Sequence, residues 1–314
     1  NFNDGKNTIA VMEINLSKPV SIVCHDIGAA NHIFSWIKAN NSANPNNLKE
    51  CRILLDGPAL NAWQEYNYPQ IKLCKTIEEL LNGANLLIAG TGWGSNLEYD
   101  AVKFASKNMI KTISVVDHWT NYRARFIRDN VEVLPDEIWV TDDYARAIAR
   151  KEFPNINVTK IHNFYLDNIL DRINSIKSIN TNLCNILYVL EPIRNAWGDG
   201  ITDGEFKALD HFIANISLKD FDHDLFIKLR PHPSENNNKY DEWISSHKNF
   251  NISIDKTSSL ESLIAWSSLV VGCQSYAMVV ALEARKKVYT SIPPWAPPCI
   301  LPHNNIINIS DIKS

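Results

Sequence analysis

The sequence lacks the features that mark membrane-spanning, disulfide-rich and zinc-binding proteins. Among its 314 residues there is no run of about 18 uninterrupted apolar residues, so we expect no transmembrane helix. The six cysteines are far apart and form no Cys-x-x-Cys pair, which indicates reduced core residues rather than disulfides or metal ligands. His25, His118 and His162 fall one per element without zinc spacing. We therefore expect neither a metal nor a cofactor.

The sequence also lacks an excess of positive charge. It carries 31 Lys and Arg residues against 35 Asp and Glu residues, a formal net charge of −4. Because nucleic-acid-binding domains carry a basic footprint, we expect no nucleic-acid partner. The start of the chain has neither a charged-then-apolar signal nor a membrane span, and we expect a cytoplasmic protein. Cations in the first half indicate either a solvated helix face or a surface that approaches anionic lipids; they are Arg123, Arg125, Arg128, Arg146, Arg150 and Lys151.

Apolar residues are abundant and follow two alternating patterns. The chain is 45% hydrophobic and is longer than one core usually organises. Short β-rich runs such as Val20–Cys24 alternate with helical patterns such as 97–107, which is typical of a parallel sheet between helices. After a polar stretch the alternation restarts at Asn185. We therefore predict an α/β protein with two Rossmann-like domains, at 1–168 and 183–314, joined by a linker at 169–182.

Polar residues follow the predicted strands of the second half, at the edge where doubly wound sheets bind ligands. The sequence Arg230-Pro231-His232-Pro233 follows a strand directly and predicts either a stiff, nucleotide-contacting edge or a proline-rich surface turn. Gln274 and Ser275 open a helix, where N–H groups bind a phosphate or where Ser275 acts as an ordinary N-cap. Glu283, two turns further on, could reach a ribose hydroxyl.

Another strand of the second half ends at Glu191 and Arg194. Arg194 could neutralise the phosphate of a nucleotide, and a surface salt bridge explains it equally well. We assign both residues to the same nucleotide-binding edge.

The first half has three strand ends with chemistry-bearing residues. After the first strand, Asp26 is our first choice of general base, and a capping or turn role is the alternative; His25, Gly28 and Asn31 lie beside it. After a later strand, Trp93 offers an aromatic platform for a ligand, with Glu98 as a rival base.

The third strand end of the first half carries Asp117 and His118, our second choice of base, unless they only fix a buried turn. Arg123, five residues further on, adds a cation to the same edge.

The second half, from Asn185 to Thr290, resembles the nucleotide-binding domain of GT-B glycosyltransferases. Arg230-Pro231-His232-Pro233 is similar to the His-Pro motif of bacterial sialyltransferases, Kdo transferases and capsule-polymer transferases, which the resemblance assigns to the nucleotide of a CMP-sugar. CDP-glycerol-type polymerases carry a similar motif, so the motif narrows the class of enzyme but does not identify the donor. Where those sialyltransferases use Ser-Ser or Ser-Thr for the donor phosphate, this chain has Gln274-Ser275. Retaining GT-B enzymes often have two glutamates eight residues apart. Glu283 matches the second of them, but this chain has Ser275 at the position of the first.

The resemblance implies a GT-B architecture, with the two domains facing each other across a cleft. The first domain would then bind the acceptor, with Trp93 as a stacking platform for its sugar; the other acceptor-binding residues would be His25, Gly28, Asn31, Glu98 and Arg123. It implies transfer of a nonulosonate or Kdo-type acid from a CMP donor to a hydroxyl of a bacterial capsule or lipopolysaccharide glycan, with peripheral contact at the cytoplasmic face of the inner membrane. One alternative is a UDP-sugar GT-B enzyme, which would be a transferase, a 2-epimerase or a sugar-nucleotide hydrolase. The other is a non-catalytic subunit that binds a nucleotide sugar. The sequence does not indicate an oligomeric state.

Overall fold

The computed structural model describes residues 19–43, 48–66, 68–176, 184–216, 225–232, 235 and 238–312. The chain divides into two compact units, Asn1–Tyr165 and Leu166–Ser314. Each unit contains a parallel β-sheet with helices between its strands.

The first unit is a seven-stranded parallel sheet in the order β3-β2-β1-β4-β5-β8-β9. A small antiparallel hairpin, β6 with β7, lies outside this sheet. The elements are β1 (Val20–Cys24), α1 (Ile27–Ala43), β2 (Cys51–Leu55), α2 (Gly57–Trp63), β3 (Lys72–Leu73), α3 (Ile77–Leu81), β4 (Leu86–Ala89), α4 (Leu97–Lys107), β5 (Lys111–Val115), β6 (Ile127–Arg128), β7 (Val131–Glu132), β8 (Glu137–Val140), α5 (Asp143–Glu152) and β9 (Asn157–Lys160).

The central strands of this sheet are buried on both faces, which explains their unbroken apolar runs. Along β1, Ile22 and Cys24 belong to one core cluster, which includes Phe34 and Ile37 of α1. Val23 belongs to the opposite cluster, which includes side chains of α3 and α4. The period-2 alternation of the strand thus divides its side chains between two cores.

Helix α6 (Phe164–Ser175) carries the chain from the first unit into the second. The second unit is a six-stranded parallel sheet in the order β12-β11-β10-β13-β14-β15. Its elements are β10 (Cys184–Val189), α7 (Gly204–Ile216), β11 (Leu225–Arg230), α8 (Asp241–Ser246), β12 (Asn251–Ile254), α9 (Leu260–Trp266), β13 (Leu269–Gly272), α10 (Tyr276–Glu283), β14 (Lys287–Thr290) and β15 (Ile307–Asn308).

One boundary differs from the sequence prediction. Helix α6 covers the start of the predicted linker, and it buries Ile169 and Ile173. Residues 177–182 of that linker lie outside the described residues.

All six cysteines are free, four of them buried and Cys184 and Cys299 partly buried. Across the described ranges, no helix combines the length and the apolar character that a membrane span requires.

Candidate functional site

Three neighbouring strands of the first sheet, β1, β4 and β5, end in polar residues. His25 and Asp26 follow β1, residues 90–95 follow β4, and Asp117 follows β5. The carboxyl ends of parallel strands lie at one edge of a sheet, so these residues share that edge.

The central feature of this edge is a hydrogen-bonded pair formed by His25 and Asp26. Nδ1 of His25 lies 2.6 Å from Oδ1 of Asp26, and their side chains are 16% and 30% exposed. The other oxygen of Asp26, Oδ2, accepts the N–H of Trp93 at 2.8 Å. An ionised carboxylate only accepts hydrogen bonds, so opposite such a carboxylate Nδ1 is the donor, and the neutral imidazole has its lone pair on Nε2. A histidine in that tautomer can accept a proton at Nε2.

Glu98 holds the main chain of this pair. It is 4% exposed, and its Oε1 accepts the N–H of His25 at 2.6 Å and that of Asp26 at 3.4 Å. Its other oxygen, Oε2, is buried and has no hydrogen-bond partner within the described ranges. Burial raises the pKa of the Glu98 carboxyl. The sequence had made Glu98 a rival base, whereas the structure makes it an anchor of the turn between β1 and α1.

Two glycines let the backbone close around the pair. A side chain at Gly92 would collide with the carboxylate of Asp26. Gly57 has a φ of +53°, and a Cβ there would lie 2.5 Å from Nε2 of His25. Glycine is needed at both positions, at the second because left-handed φ strains other residues. Because Gly57 has no side chain, the space beside Nε2 of His25 stays open.

Trp93 forms a platform next to the pair. It is 52% exposed, and the guanidinium carbons of Arg125 and Arg128 each lie 6.0 Å from its ring centroid. Arg128 also donates to the carbonyl of Gly92 at 2.7 Å, which ties the loop that carries Trp93. Glu98 and both arginines line a small cavity at this loop.

Asp117 and His118 are engaged with neighbours of their own. Oδ1 of Asp117 lies 3.0 Å from Nη1 of the buried Arg125, and Gly28 lies directly against this carboxylate. Nδ1 of His118 lies 3.2 Å from Oγ1 of Thr120, and burial lowers the pKa of His118. Asp117, part of the second choice of base, is therefore half of a partly buried ion pair, and Arg125 is not a surface cation.

Arg123, which was assigned to the acceptor, has other surroundings than expected. Arg123 pairs with Glu132 of β7 at 2.7 Å and donates to the carbonyl of Glu152 at 2.9 Å, so it anchors the hairpin. Asn31 lies in the second turn of α1 and is partly exposed.

In the second unit the adjacent strands β11, β10 and β13 also end in polar residues. Oε1 of Glu191, after β10, accepts the N–H of Cys273 at 3.2 Å and that of Gln274 at 2.7 Å. Burial raises the pKa of Glu191. Ser275 caps α10 by accepting the N–H of Ala277 at 3.1 Å. The N–H of Gln274, at the helix start predicted to hold a phosphate, is thus occupied by the carboxylate of Glu191.

The Arg-Pro-His-Pro segment is only partly described. Arg230 is the last residue of β11 and donates to the carbonyl of Ser258 at 2.7 Å, and His232 is exposed. Pro233 lies outside the described residues. Glu283 is the exposed last residue of α10, about 10 Å along the axis from the helix start at 1.5 Å per residue. The structure therefore does not bring Glu283 to the edge where β13 ends.

A charged network that the sequence analysis missed lies beside this edge. Nζ of Lys239 contacts Glu205, Glu235 at 2.7 Å and Asp203 at 3.3 Å, and Glu205 and Glu235 are almost fully buried. Burial alone would lower the pKa of Lys239, but hydrogen bonds to Glu205 and Glu235 raise it. The i,i+4 spacing of Glu235 and Lys239 was the one signal of this network in the sequence.

The network joins two loops. Oε2 of Glu205 accepts the N–H of Arg194 at 2.6 Å, and Oε1 of Glu235 lies 3.6 Å from the guanidinium of the same arginine. Arg194 has a φ of +51° and a side chain that is 61% exposed. The N–H of Glu235 also donates to the carbonyl of His232 at 2.9 Å. Arg194 and His232 are therefore both held by Glu235.

No group of three or more His, Cys, Asp or Glu side chains that could hold a metal occurs in the part of the chain that the structure describes.

We expect Lys239→Met to destabilise the protein by about 3–5 kcal/mol, because it leaves the buried carboxylates of Glu205 and Glu235 without their cation. Lys72→Met, which breaks an exposed pair with Glu79, is the matched control and should change little. Urea unfolding of the three proteins measures both effects. Equal losses in the two variants would show that the network contributes no more than a surface pair.

We expect the free energy of unfolding of the wild type to fall, relative to that of the Glu98→Gln variant, as the pH rises above 4.5, the ordinary pKa of a glutamate. A raised pKa in the folded state means that folding favours the protonated carboxyl, so this stability is lost as Glu98 ionises. The difference amounts to about 1.4 kcal/mol for each pH unit by which the pKa is raised. Urea unfolding at pH 5 to about pH 8 measures it.

Glu79→Gln is the control for this series. Its hydrogen bond with Lys72 lowers the pKa of Glu79, so that carboxylate is ionised throughout the range and its variant should show no slope. A difference between wild type and Glu98→Gln that is the same at every pH would contradict the assignment of Glu98.

Comparison with protein-family profiles gave no match, and comparison with curated protein sequences gave none either. Neither comparison supports the sialyltransferase and Kdo-transferase resemblance of the Arg-Pro-His-Pro segment.

Solved structures show similar folds at low sequence identity. One similar structure is a Listeria monocytogenes protein assigned as a UDP-N-acetylglucosamine 2-epimerase; the match covers 87% of this chain and 79% of the Listeria chain, with a TM-score of 0.59 and 12% identity. A second is the UDP-GlcNAc 2-epimerase from Neisseria meningitidis bound to UDP-GlcNAc; here the match covers 86% of this chain and 82% of the other, with a TM-score of 0.57 and 13% identity. A third is MnaA of S. aureus with UDP; the match covers 87% of this chain and 78% of the other, with a TM-score of 0.56 and 13% identity. With two parallel sheets of seven and six strands, this chain has the α/β GT-B fold that its sequence predicted.

Proposed function

We propose that this protein is a GT-B enzyme that transfers a sugar from a nucleotide sugar to a hydroxyl group of a glycan. The His25–Asp26 pair carries the proposal, because a hydroxyl acceptor must lose its proton as it attacks. A neutral imidazole held by a carboxylate at the end of a central strand is suited to accept that proton.

In this mechanism Nε2 of His25 takes the acceptor's proton while the acceptor oxygen bonds to the anomeric carbon. The bond from that carbon to the nucleotide phosphate breaks, and the phosphate leaves with the electron pair. Asp26 stabilises the imidazolium that forms and is itself held by the N–H of Trp93. This differs from the sequence prediction, in which Asp26 took the proton directly, since both Asp26 oxygens are engaged in hydrogen bonds.

Trp93 is the proposed platform for the acceptor sugar. Aromatic faces bind the apolar face of a sugar ring, and Trp93 is exposed beside the pair. Arg128, 6.0 Å from its centroid, adds a cation for an acidic acceptor.

The second unit is the proposed nucleotide-binding part, through Arg194, His232 and the side chain of Gln274. The exposed guanidinium of Arg194 can leave Glu235 for a phosphate, since the two are 3.6 Å apart. The resemblance of Arg230-Pro231-His232-Pro233 supports a CMP-linked acidic sugar as donor and a bacterial surface glycan as acceptor.

A UDP-sugar 2-epimerase is the second candidate function. It is supported by the similarity in fold to 2-epimerases, including one bound to UDP-GlcNAc and MnaA with UDP. Such an enzyme would act on the nucleotide sugar without an acceptor.

We expect calorimetric titration with CMP, CDP, UMP and UDP to show binding of at least one nucleotide, and cytidine nucleotides to bind more tightly than uridine nucleotides. Product analysis with the sugar nucleotides of the preferred base then separates the candidates. Release of free nucleotide that requires a glycan acceptor supports transfer, and a changed sugar nucleotide without acceptor supports epimerisation. If none of the four binds, the proposal fails.

We expect Asp26→Asn and His25→Ala to lower the transfer rate by about 100- to 10,000-fold, because each removes the oriented base. The affinity for the nucleotide should stay unchanged in both, since the proposed nucleotide ligands are in the second unit. Initial-rate kinetics and calorimetry measure the two quantities.

Asp100→Asn is the control for these variants. Asp100 is an exposed carboxylate in the first turn of α4, in the same unit. Its variant should keep the wild-type rate. Full transfer activity in His25→Ala would remove the pair from the mechanism.

A further inference from the structure

Two tryptophans of the second unit form an aromatic pair that the proposed function does not use. Trp197 lies in the loop after β10, and Trp295 lies in the loop after β14. Their ring centroids are 5.9 Å apart with an interplanar angle of 73°, an edge-to-face contact. Trp295 is 61% exposed, which leaves most of this large apolar side chain in contact with water.

The pair is attached to the turn that follows β13. Trp197 packs against a small core that includes Ile193, Cys273 and Ile292. Oγ1 of Thr290 donates to the carbonyl of Cys273 at 2.8 Å, and the N–H of Ser291 donates to the carbonyl of Gly272 at 2.8 Å. The loop of Trp295 and the turn that opens α10 are therefore joined through packing and hydrogen bonds.

The loop of Trp295 is stiff. Residues 291–298 contain four prolines, two before Trp295 and two after Ala296, and each restricts its φ. A ring on such a loop loses little conformational entropy when a ligand covers it.

A cation is fixed over the same ring. Nζ of Lys207, in α7, lies 5.3 Å from the centroid of Trp295 and is bonded to Oδ2 of Asp199 at 2.6 Å. Asp199 in turn accepts the N–H groups of Ile201 and Thr202, which holds the loop between β10 and α7. Lys207 of α7 and Trp197 of the preceding loop thus both contact the ring of Trp295, while most of that ring stays exposed.

We propose that Trp295 is the stacking platform for the base of the donor nucleotide, which rests on the proposed function. A planar base fits an exposed indole face, and each stacked base contributes about 5- to 150-fold to affinity. The base is favoured over an acceptor sugar because the ring is attached to the nucleotide-binding unit, at the turn of Cys273 and Gln274.

The test compares ligands with and without a base. We expect Trp295→Ala to weaken CMP or UMP, whichever binds the wild type better, at least about 5-fold in calorimetry. Trp295→Phe, which keeps an aromatic face, should stay within about 3-fold of the wild type. Ribose 5-phosphate, which has no base, should bind both variants as it binds the wild type. Ile300→Ala, a partly exposed apolar side chain further along the same segment, is the control and should change none of these affinities.

Fluorescence gives a second readout that needs no truncated side chain. The chain has nine tryptophans, so the signal of one is identified by difference. We expect the nucleotide to quench wild-type fluorescence and most of that quenching to be absent in Trp295→Phe.

Each other outcome overturns the inference. Nucleotide affinity that is unchanged in Trp295→Ala removes the stacking role and leaves the proposed function intact. Absence of nucleotide binding by the wild type removes both. Weakened binding of the glycan acceptor with unchanged nucleotide affinity would make Trp295 an acceptor platform, and a changed oligomeric state in Trp295→Ala would make it a protein contact.

Discussion

Each unit depends on a glutamate that satisfies main-chain N–H groups at the turn after a central strand. Glu98 does this for His25 and Asp26 after β1, and Glu191 does it for Cys273 and Gln274 after β13. Turns at the carboxyl edge of a sheet leave such groups without sheet or helix partners, and a buried N–H without an acceptor is costly. Burial raises the pKa of both glutamates, so the geometry is obtained at an electrostatic cost.

This constraint separates residues that position from residues that can react. Once Glu98 holds the main chain, the side chains of His25 and Asp26 can pair with each other and with the N–H of Trp93. In the second unit the same device uses the N–H of Gln274 at the start of α10, whereas the side chains of Arg194 and His232 are exposed. The two edges therefore present different side chains, a His–Asp pair in the first unit and exposed polar and aromatic side chains in the second.

Much of the fold could be predicted from the sequence because the signals are local. The strand at Val20–Cys24 and the helix at 97–107 were predicted with the bounds that the structure has. The short strands β3 and β15, with two residues each, carry too little pattern to be recognised. The edge residues His25, Asp26 and Trp93 were predicted together, because they follow adjacent parallel strands. Their individual roles were not, since these depend on which oxygen or N–H each side chain meets.

The sequence by itself determined the order of strands and helices and the residues at each strand end, because apolar periodicity acts over a few neighbouring positions. Only the tertiary structure decided which groups became hydrogen-bond partners. Glu98 reaches His25 across 73 positions, Glu191 reaches Gln274 across 83, and Lys239 reaches Glu205 across 34. A hydrogen bond is specific over about 3 Å, so these pairings follow from the packing of whole elements rather than from any local motif.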